Sequence, residues 1–466
     1  MIKRSLQLPA IACALCFMTF GDLPSKEVFA AGIEIPDNGT KALGRGGAYV
    51  AGAEDLTAIY YNPARLGVLK GTRGLYNHNL LFSQINFTRA TLSPGWAESD
   101  PNFEAVSDSE GFFYIGGFGA ISSDFGLDDW TFALGVYGPS SVGKRSYPTY
   151  GPQSFMVTEM DTIMPYYTAS VAYTPREDFA MGASLQWADL ISMKYSVVVD
   201  VSKVPSPGAK PDTSKQHTEV TLNLSDRTNI TGIIGLWWAI NDAFEVGLAS
   251  RVIPMNIEAE GSVDVLEEGI VTEDVTATAE FTIPIQIRGG IRYIHREPSQ
   301  DELFDIEFDV FYENWAAFKE LRATLDGTIN AENPNPVVLP RNWNDTITLR
   351  LGSDWNAMDW LTLRTGGYWE NGATPENYEH LDFPSFDRYA FTGGASFHLG
   401  PVSLSVAYAH ILQEDRTVTE DYGKVLLQRP LLNCPDECGG LTGVVANAGT
   451  FESGFQIVSV GMEATF

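Results

Sequence analysis

Charged side chains alternate with apolar ones in several segments of the chain. Asp305, Glu307 and Asp309 occupy every second position of one apolar run. Because successive side chains of a β-strand point to opposite faces, this spacing predicts one charged face and one apolar face. Arginines are predicted on the charged face of neighbouring strands: Arg288, Arg292, Arg350 and Arg364. They would pair with the acidic residues across strands, or one would hold a ligand carboxylate with two parallel hydrogen bonds. The sequence does not choose between these roles.

Residues that carry catalysis are sparse. Neither a Gly-x-Ser-x-Gly nor a His-x-Ser pattern accompanies any of the six histidines: His78, His217, His295, His380, His398 and His410. A loop containing Gly44, Gly46 and Gly47 could cradle phosphate, but it lacks the preceding strand and the Lys-Ser/Thr of such loops. We therefore expect these glycines to allow close packing. A net charge of −29 without any basic run argues against nucleic acid as a partner. No enzymatic activity and no cofactor are expected.

The first 30 residues resemble a signal for export. A charged start precedes an apolar run at residues 8–20, and small residues flank a cleavage site near Ala30. An exported chain meets an oxidising compartment, so Cys434 and Cys438 are predicted to form a disulfide. A metal site is not expected, because the flanks of this pair offer no histidine. Beyond the signal no run of about 18 apolar residues occurs, so a membrane role would require strands.

Alternation of apolar and polar residues continues through most of the chain and ends in a strand that closes on Phe466. It predicts strands at residues 72–92, 111–122, 129–138, 153–174, 178–203, 215–239, 243–258, 275–295, 301–321, 341–357, 359–371, 388–399, 401–417 and 451–466. Connections after even-numbered strands are short, whereas most connections after odd-numbered strands are long. An even strand number with this alternation is typical of outer-membrane barrels and not of Greek-key sandwiches.

The predicted fold is therefore an all-β, 14-stranded antiparallel transmembrane barrel. Both ends of the barrel would lie on the periplasmic side, with the long loops facing outward. The predicted division is a signal peptide at 1–30, an N-terminal hatch or plug at 31–71 and the barrel at 72–466. A barrel of this size encloses a lumen that is either plugged or open, and a Gly- and Ala-rich segment entering from the periplasmic end would fill it.

Several motifs together resemble one protein family. Residues 44–55 and 60–66, the latter Tyr-Tyr-Asn-Pro-Ala-Arg-Leu, are similar to the N-terminal hatch of the FadL/TodX family. Residues 304–318, 339–346 and 364–368 are similar, in order and spacing, to later family elements. These segments and the C-terminal ones span nearly the whole chain after the signal. The resemblance is carried by their order, because no one of the motifs is decisive.

The resemblance implies a monomeric transporter in the outer membrane of a Gram-negative bacterium, surrounded by lipid and lipopolysaccharide. Its ligands would be long-chain fatty acids or aromatic or alkane hydrocarbons, which pass sideways through a gap in the barrel wall. One of the four lumen arginines would then hold a fatty-acid carboxylate if any of them contacts ligand. A general porin or a structural or adhesive barrel is the alternative.

The resemblance also implies roles for two short segments. Asn62, Pro63 and Ala64 match the hatch motif and would either gate ligand or only shape a turn, since Asn bonds its own downstream backbone and Pro fixes the bend. In the family an inward kink of the third strand opens the wall. Gly135, Gly138 and Pro139 fit such a broken ladder, or they simply end the strand.

Overall fold

A computed structural model describes residues 38–90, 106–107, 114–139, 143–149, 151–200, 217–265, 272–299, 301–329, 333–428 and 445–466. The signal peptide and the cysteine pair, Cys434 and Cys438, lie outside these residues, so both remain predictions. No helix of the described residues has the length and apolar character needed to cross a membrane. The described residues also contain no group of three or more His, Cys, Asp or Glu that could hold a metal ion.

The described elements are mostly strands. The helices are α1 (Thr40–Gly44) and α2 (Ala58–Tyr61), with 3₁₀ helices at Pro63–Val68, Trp315–Ala317 and Glu376–Tyr378. The strands are β1 (Arg73–Arg89), β2 (Val106–Ser107), β3 (Tyr114–Ser123), β4 (Trp130–Tyr137), β5 (Lys144–Ser146), β6 (Glu159–Ile163), β7 (Tyr166–Arg176), β8 (Phe179–Asp200), β9 (His217–Asn241), β10 (Phe244–Arg251), β11 (Met255–Val265), β12 (Thr272–Ile283), β13 (Gln286–Arg296), β14 (Glu302–Glu313), β15 (Glu320–Ile329), β16 (Val337–Pro340), β17 (Thr346–Met358), β18 (Leu361–Glu370), β19 (Arg388–Leu399), β20 (Val402–Gln413), β21 (Arg416–Val418) and β22 (Gly449–Thr465).

Fourteen of these strands close into an antiparallel barrel. The order around the wall is β1, β3, β4, β7, β8, β9, β10, β13, β14, β17, β18, β19, β20 and β22, and β22 pairs back onto β1 from Arg73↔Thr465 to Arg89↔Gly449. The predicted 14-stranded antiparallel barrel is confirmed. Closure removes the free edges that an open sheet would leave, which is a condition for a sheet that crosses lipid.

Five predicted strands are each divided in two, which corrects the sequence assignment. The stretches predicted as 243–258, 275–295 and 301–321 are broken between β10 and β11, between β12 and β13, and between β14 and β15. The stretches predicted as 153–174 and 401–417 are broken between β6 and β7 and between β20 and β21. Pro254 and Pro284 lie in the first two breaks. Proline has no N–H to donate to the ladder, so pairing is interrupted there although the apolar alternation continues. Beyond the breaks, β11, β12, β15 and β16 continue the sheet at the long-loop end.

The barrel carries its apolar residues on the outside. Along β4, Phe132, Leu134 and Val136 are exposed, whereas the alternate positions from Thr131 to Tyr137 are buried. In β22, Val460 is 49% exposed while Ser459 is fully buried. Such a surface would be unfavourable in water and is favourable against lipid, with polar groups on the lumen side.

Candidate functional site

Residues 38–71, called the N-terminal segment below, cross the lumen at the short-turn end of the barrel. Helix α1 contacts β18, β19, β20 and β22 on one side, and the 3₁₀ helix Pro63–Val68 contacts β4, β7, β8 and β9 on another. Nearly all of its residues between 38 and 66 are buried. The segment thus joins distant parts of the wall through the interior.

The wall makes room for this segment with glycines. In seven of the fourteen wall strands, a methyl group on an inward glycine would lie 2.1–2.7 Å from an atom of the N-terminal segment. These seven, called the lumen glycines, are Gly135, Gly182, Gly235, Gly247, Gly352, Gly366 and Gly461. Distances this short exclude a Cβ unless the segment moves. At Gly182, Gly247, Gly352 and Gly366 the backbone of the segment packs directly on the backbone of the wall, which is one of the uses that only glycine permits. At the other three the segment places a side chain of Ile59, Asn62 or Thr40 against the glycine.

The glycines of the segment itself are packed in the same way. Gly46 and Gly47 have positive φ angles of 65° and 76°, a backbone conformation that favours glycine. A Cβ on Gly46 would lie 2.5 Å from the Gly367 nitrogen, and one on Gly44 would lie 3.4 Å from the Gly394 Cα. These contacts occupy the space that a phosphate group would need.

Arg45 is the electrostatic centre of the contact. Its Nη1 lies 2.8 Å from Asp305 Oδ1 and 2.5 Å from Asp354 Oδ1, and its Nη2 lies 3.1 Å from Glu307 Oε2. Its Nε donates to the Ala48 carbonyl at 3.0 Å. The Arg45 side chain is 2% exposed. A single guanidinium thus balances carboxylates of two wall strands, β14 and β17.

The acidic face of β14 is also occupied by backbone donors of the segment. Asp309 Oδ2 accepts from the N–H groups of Tyr49 at 2.7 Å and Val50 at 3.0 Å. Glu307 Oε1 accepts from those of Ala51 at 2.6 Å and Gly52 at 3.1 Å. The alternating acidic residues of β14 therefore bind the N-terminal segment as well as arginines of the wall.

Two of the four candidate arginines take part in this network. Arg292 Nε lies 2.5 Å from Asp305 Oδ2 and its Nη1 lies 3.2 Å from Glu245. Arg364 lies 2.9 Å from Glu54 and 2.8 Å from Asp354. Both side chains are buried and pair with protein carboxylates, and Arg364 also donates to the Ser396 hydroxyl. These contacts fit bracing of the interior better than binding of a ligand.

The other two arginines, Arg288 and Arg350, have different surroundings. Among the described residues, neither has a carboxylate within ion-pair distance. Arg288 donates to the Tyr60 carbonyl and stacks 4.1 Å from the centre of that ring. Arg350 stacks 3.6 Å from the Phe311 ring centre and donates to the Gly47 carbonyl at 3.3 Å. Both arginines contact the N-terminal segment on its side that faces the long loops.

The Asn62-Pro63-Ala64 turn is fully buried against β8 and β9. Asn62 Nδ2 donates to the carbonyls of Val50 at 2.9 Å and Leu236 at 3.0 Å, and its Oδ1 accepts from the Ala64 N–H at 3.1 Å. Pro63 opens the 3₁₀ helix that follows. The side chain of Asn62 therefore joins two parts of the N-terminal segment to the wall.

The third wall strand, β4, is short. Gly135 lies within an unbroken ladder, opposite Ala120 of β3 and Thr168 of β7, and the δ-carbon of Ile59 lies where its Cβ would be. The strand ends at Tyr137, just before Gly138 and Pro139. Pairing of β3 with β4 stops at Gly119↔Val136, although β3 pairs with β1 as far as Tyr114. Within the described residues, five positions of β3 therefore have a strand partner on one side only.

Two apolar surfaces flank the N-terminal segment. Outside the end of the β3–β4 ladder is a groove of about 670 Å³ lined by side chains such as Ile121, Leu134 and Trp187. Inside the long-loop end is a cavity of about 40 Å³ lined by Thr162, Met164, Leu190, Met193, Phe281, Thr282, Ile283, Trp315, Phe318, Leu321, Arg341 and Phe383. Among these described lining residues, Arg341 alone is charged.

Comparison with known proteins identifies this architecture. The sequence model of a family described as outer membrane protein transport protein (OMPP1/FadL/TodX) matches residues 22–440. The chain belongs to this family. Membership confirms the predicted resemblance and the predicted location in a Gram-negative outer membrane.

Individual relatives of this FadL/TodX member are distant. A 47 kDa outer membrane protein of Pasteurella multocida (strain Pm70) is 27% identical over 159 residues, which is 32% of this chain and 35% of that protein. The chain thus matches about a third of the length of this curated relative. A FadL homologue of Pseudomonas aeruginosa superposes with a TM-score of 0.75 at 17% identity, covering 94% of this chain and all of that one. The toluene transporters TbuX of Ralstonia pickettii and TodX of P. putida give TM-scores of 0.64 and 0.65 at 15% identity, each covering 92% of this chain and 98% of its own. At such identities the structures show a shared fold.

Sequence reasoning about this FadL/TodX member missed the cavity and its arginine. The sequence predicts only that the connection 372–387 is a long loop facing outward, whereas most of its residues are buried in the long-loop end. The sequence feature that could have indicated this burial is the presence of apolar residues in the connection, such as Leu381 and Phe386. Arg341 lies in a motif used only for the family resemblance.

Replacement of Arg45 by Met should destabilise the barrel by about 3–5 kcal/mol, because three carboxylates would lose a buried partner. Arg176→Met, which removes a pair exposed to solvent, is the control and should leave the denaturant midpoint close to that of the wild type. The measurement is the denaturant midpoint of the purified proteins in detergent. Equal midpoints for the two variants would contradict the central role of Arg45.

Gly366→Ala should displace the N-terminal segment, because the added Cβ would lie 2.2 Å from the Arg45 carbonyl carbon. Gly289→Ala is the matched control, since its Cβ meets nothing within 4 Å. We expect higher ion conductance in planar bilayers for the first variant and wild-type conductance for the second. Wild-type conductance and stability in both variants would show that Gly366 and the N-terminal segment are not tightly packed.

Proposed function

We propose that this FadL/TodX member takes up hydrophobic molecules passively, with the N-terminal segment as its plug and the wall beside β4 as the exit. One observation supports this most. Buried ion pairs between the N-terminal segment and the wall form a layer at the short-turn end, whereas the apolar cavity lies at the long-loop end. Long-chain fatty acids and aromatic or alkane hydrocarbons are the candidate substrates. In this proposal residues 31–71 form the hatch, residues 72–466 form the barrel, and the monomer works within lipid and lipopolysaccharide.

An axial path through the short-turn end is unfavourable for an apolar molecule. The N-terminal segment fills that end, and Arg45, Arg292 and Arg364 form a layer of buried ion pairs with wall and segment carboxylates. Passage would separate these pairs, and leaving a buried charge unpaired costs several kcal/mol. The molecule would then leave the barrel for water, which is its least favourable solvent.

A sideways path avoids both costs. Aromatic rings line the lumen next to the end of the β3–β4 ladder: Phe118 stacks on Tyr137 at 4.8 Å, and Tyr137 contacts Tyr166 at 5.7 Å and Tyr60 at 5.8 Å. The groove outside the same place is lined by apolar side chains. A hydrophobic molecule that moves between these rings passes from an apolar lumen to lipid without meeting water. In this scheme, Ile59 on Gly135 and the Asn62 turn hold the plug beside the exit.

Uptake is tested in cells that lack their own fatty-acid transporter and express this protein, offered oleate and toluene separately. We expect at least one of them to enter several-fold faster than in control cells. Loss of oleate uptake on substitution of Arg288 or Arg350 would indicate that the substituted arginine contacts the oleate carboxylate in the lumen. Ion leakage without uptake of either compound would instead support a general pore.

The exit is tested by placing a charge in the groove. Leu134→Lys should slow uptake several-fold, because the groove lining would become charged where substrate crosses it. Leu349→Lys on β17 places the same charge on the lipid face away from the groove and is the control. Both variants should fold to similar levels in membranes. Equal uptake by the two variants would exclude this exit.

A further inference from the structure

The connection between β18 and β19, residues 371–387, forms a cap inside the long-loop end. The side chains of Glu379, His380, Leu381 and Asp382 are at most 1% exposed. The Asp382 side chain connects the cap to Tyr195 of β8 and to Arg341, which follows β16. It is one of several anchors, since Arg145 donates to the Leu381 and Asp382 carbonyls and Arg416 to the Thr374 carbonyl.

The Asp382 carboxylate has four partners. Oδ2 accepts from Arg341 Nη2 and from the Tyr195 hydroxyl, the latter at 3.2 Å. Oδ1 accepts from the Phe383 N–H at 2.7 Å and lies 2.8 Å from His380 Nδ1. Burial disfavours the charged form, but Arg341 and then His380 outweigh it, so the pKa of Asp382 lies well below its usual range. Asp382 is thus an anion at neutral pH.

Arg341 faces two environments at once. It is 1% exposed, pairs with Asp382, and also lines the apolar cavity with Met164, Leu190 and Phe318. Its Nε has no hydrogen-bond partner among the described residues. A buried guanidinium with a free donor at the end of an apolar cavity fits the chemistry of an amphiphile that carries a carboxylate on a hydrocarbon chain.

The cavity is too small for such a molecule while the cap is in place. About 40 Å³ holds only a few water molecules. Phe383, the neighbour of Asp382, is the cap residue among those that line the cavity. Movement of Asp382 away from Arg341 would therefore also remove Phe383 from the cavity wall and enlarge it.

We infer that Asp382 is a built-in competitor: it holds Arg341 until the carboxylate of an amphiphilic ligand replaces it and releases the cap. Exchange of one carboxylate for another leaves the buried Arg341 paired throughout, whereas a hydrocarbon offers no such replacement. Burial of the ligand's methylene groups favours the exchange, and Asp382 regains water at the barrel mouth. This inference rests on the proposed function and adds to it a ligand class and a means of regulation.

The test is the binding of oleate and of methyl oleate to the purified protein in detergent, measured by calorimetry. The two ligands share a chain and differ in charge, so their affinity ratio reports the carboxylate contact. Asp382→Asn removes the competitor's charge at nearly constant shape and should raise the ratio about tenfold. Arg341→Gln combined with Asp382→Asn leaves no unpaired buried charge and should bring the ratio to about one.

Glu379→Gln is the control within the same cap. Burial raises the pKa of Glu379 to about 8 although Arg416 lies 3.3 Å away, so this change removes little charge at neutral pH. The ratio should remain that of the wild type. A ratio unchanged in both Asp382 variants, or raised equally by Glu379→Gln, would overturn the inference. Absence of uptake in cells would overturn the transport proposal instead, because the ratio is measured on isolated protein.

Discussion

The structure depends on the contact between Arg45 and the acidic residues of the wall. Burying one guanidinium and three carboxylates is costly unless every group finds its partner. The partners come from β14 and β17 on one side and from the N-terminal segment on the other. The charge of Arg45 is therefore satisfied only when the segment lies against the paired strands β14 and β17.

Glycine supplies the space that this electrostatic contact requires. Seven wall strands have glycine at the level of the segment, and each glycine lets the backbone or a side chain of the segment pack against the backbone of the wall. An apolar plug of ordinary side chains would need a wider lumen. The same tight fit agrees with the proposed function, in which the segment stays in place as a plug and the ligand leaves through the wall.

The barrel holds polar and apolar surfaces in separate layers. Ion pairs lie near the short turns, the aromatic rings around Tyr137 lie at the end of the β3–β4 ladder, and the cap at 371–387 lies among the long loops. A hydrophobic molecule meets favourable surfaces in the last two layers and a barrier in the first. The long-loop end also holds buried ion pairs, such as Arg388–Glu370, and the pair of Arg341 with Asp382 lies beside the apolar cavity.

The sequence by itself determined the barrel, because a period of two residues, an even number of strands and alternating loop lengths are local properties of the chain. It also marked the charged face of β14 and the inward arginines. It missed the breaks at Pro254 and Pro284, where hydrogen bonding and not side-chain pattern sets the strand end. Only the tertiary structure decided which charges meet, because Arg45 lies about 260 residues from Asp305. The burial of residues 371–387 likewise depends on contacts with distant strands, which no local pattern records.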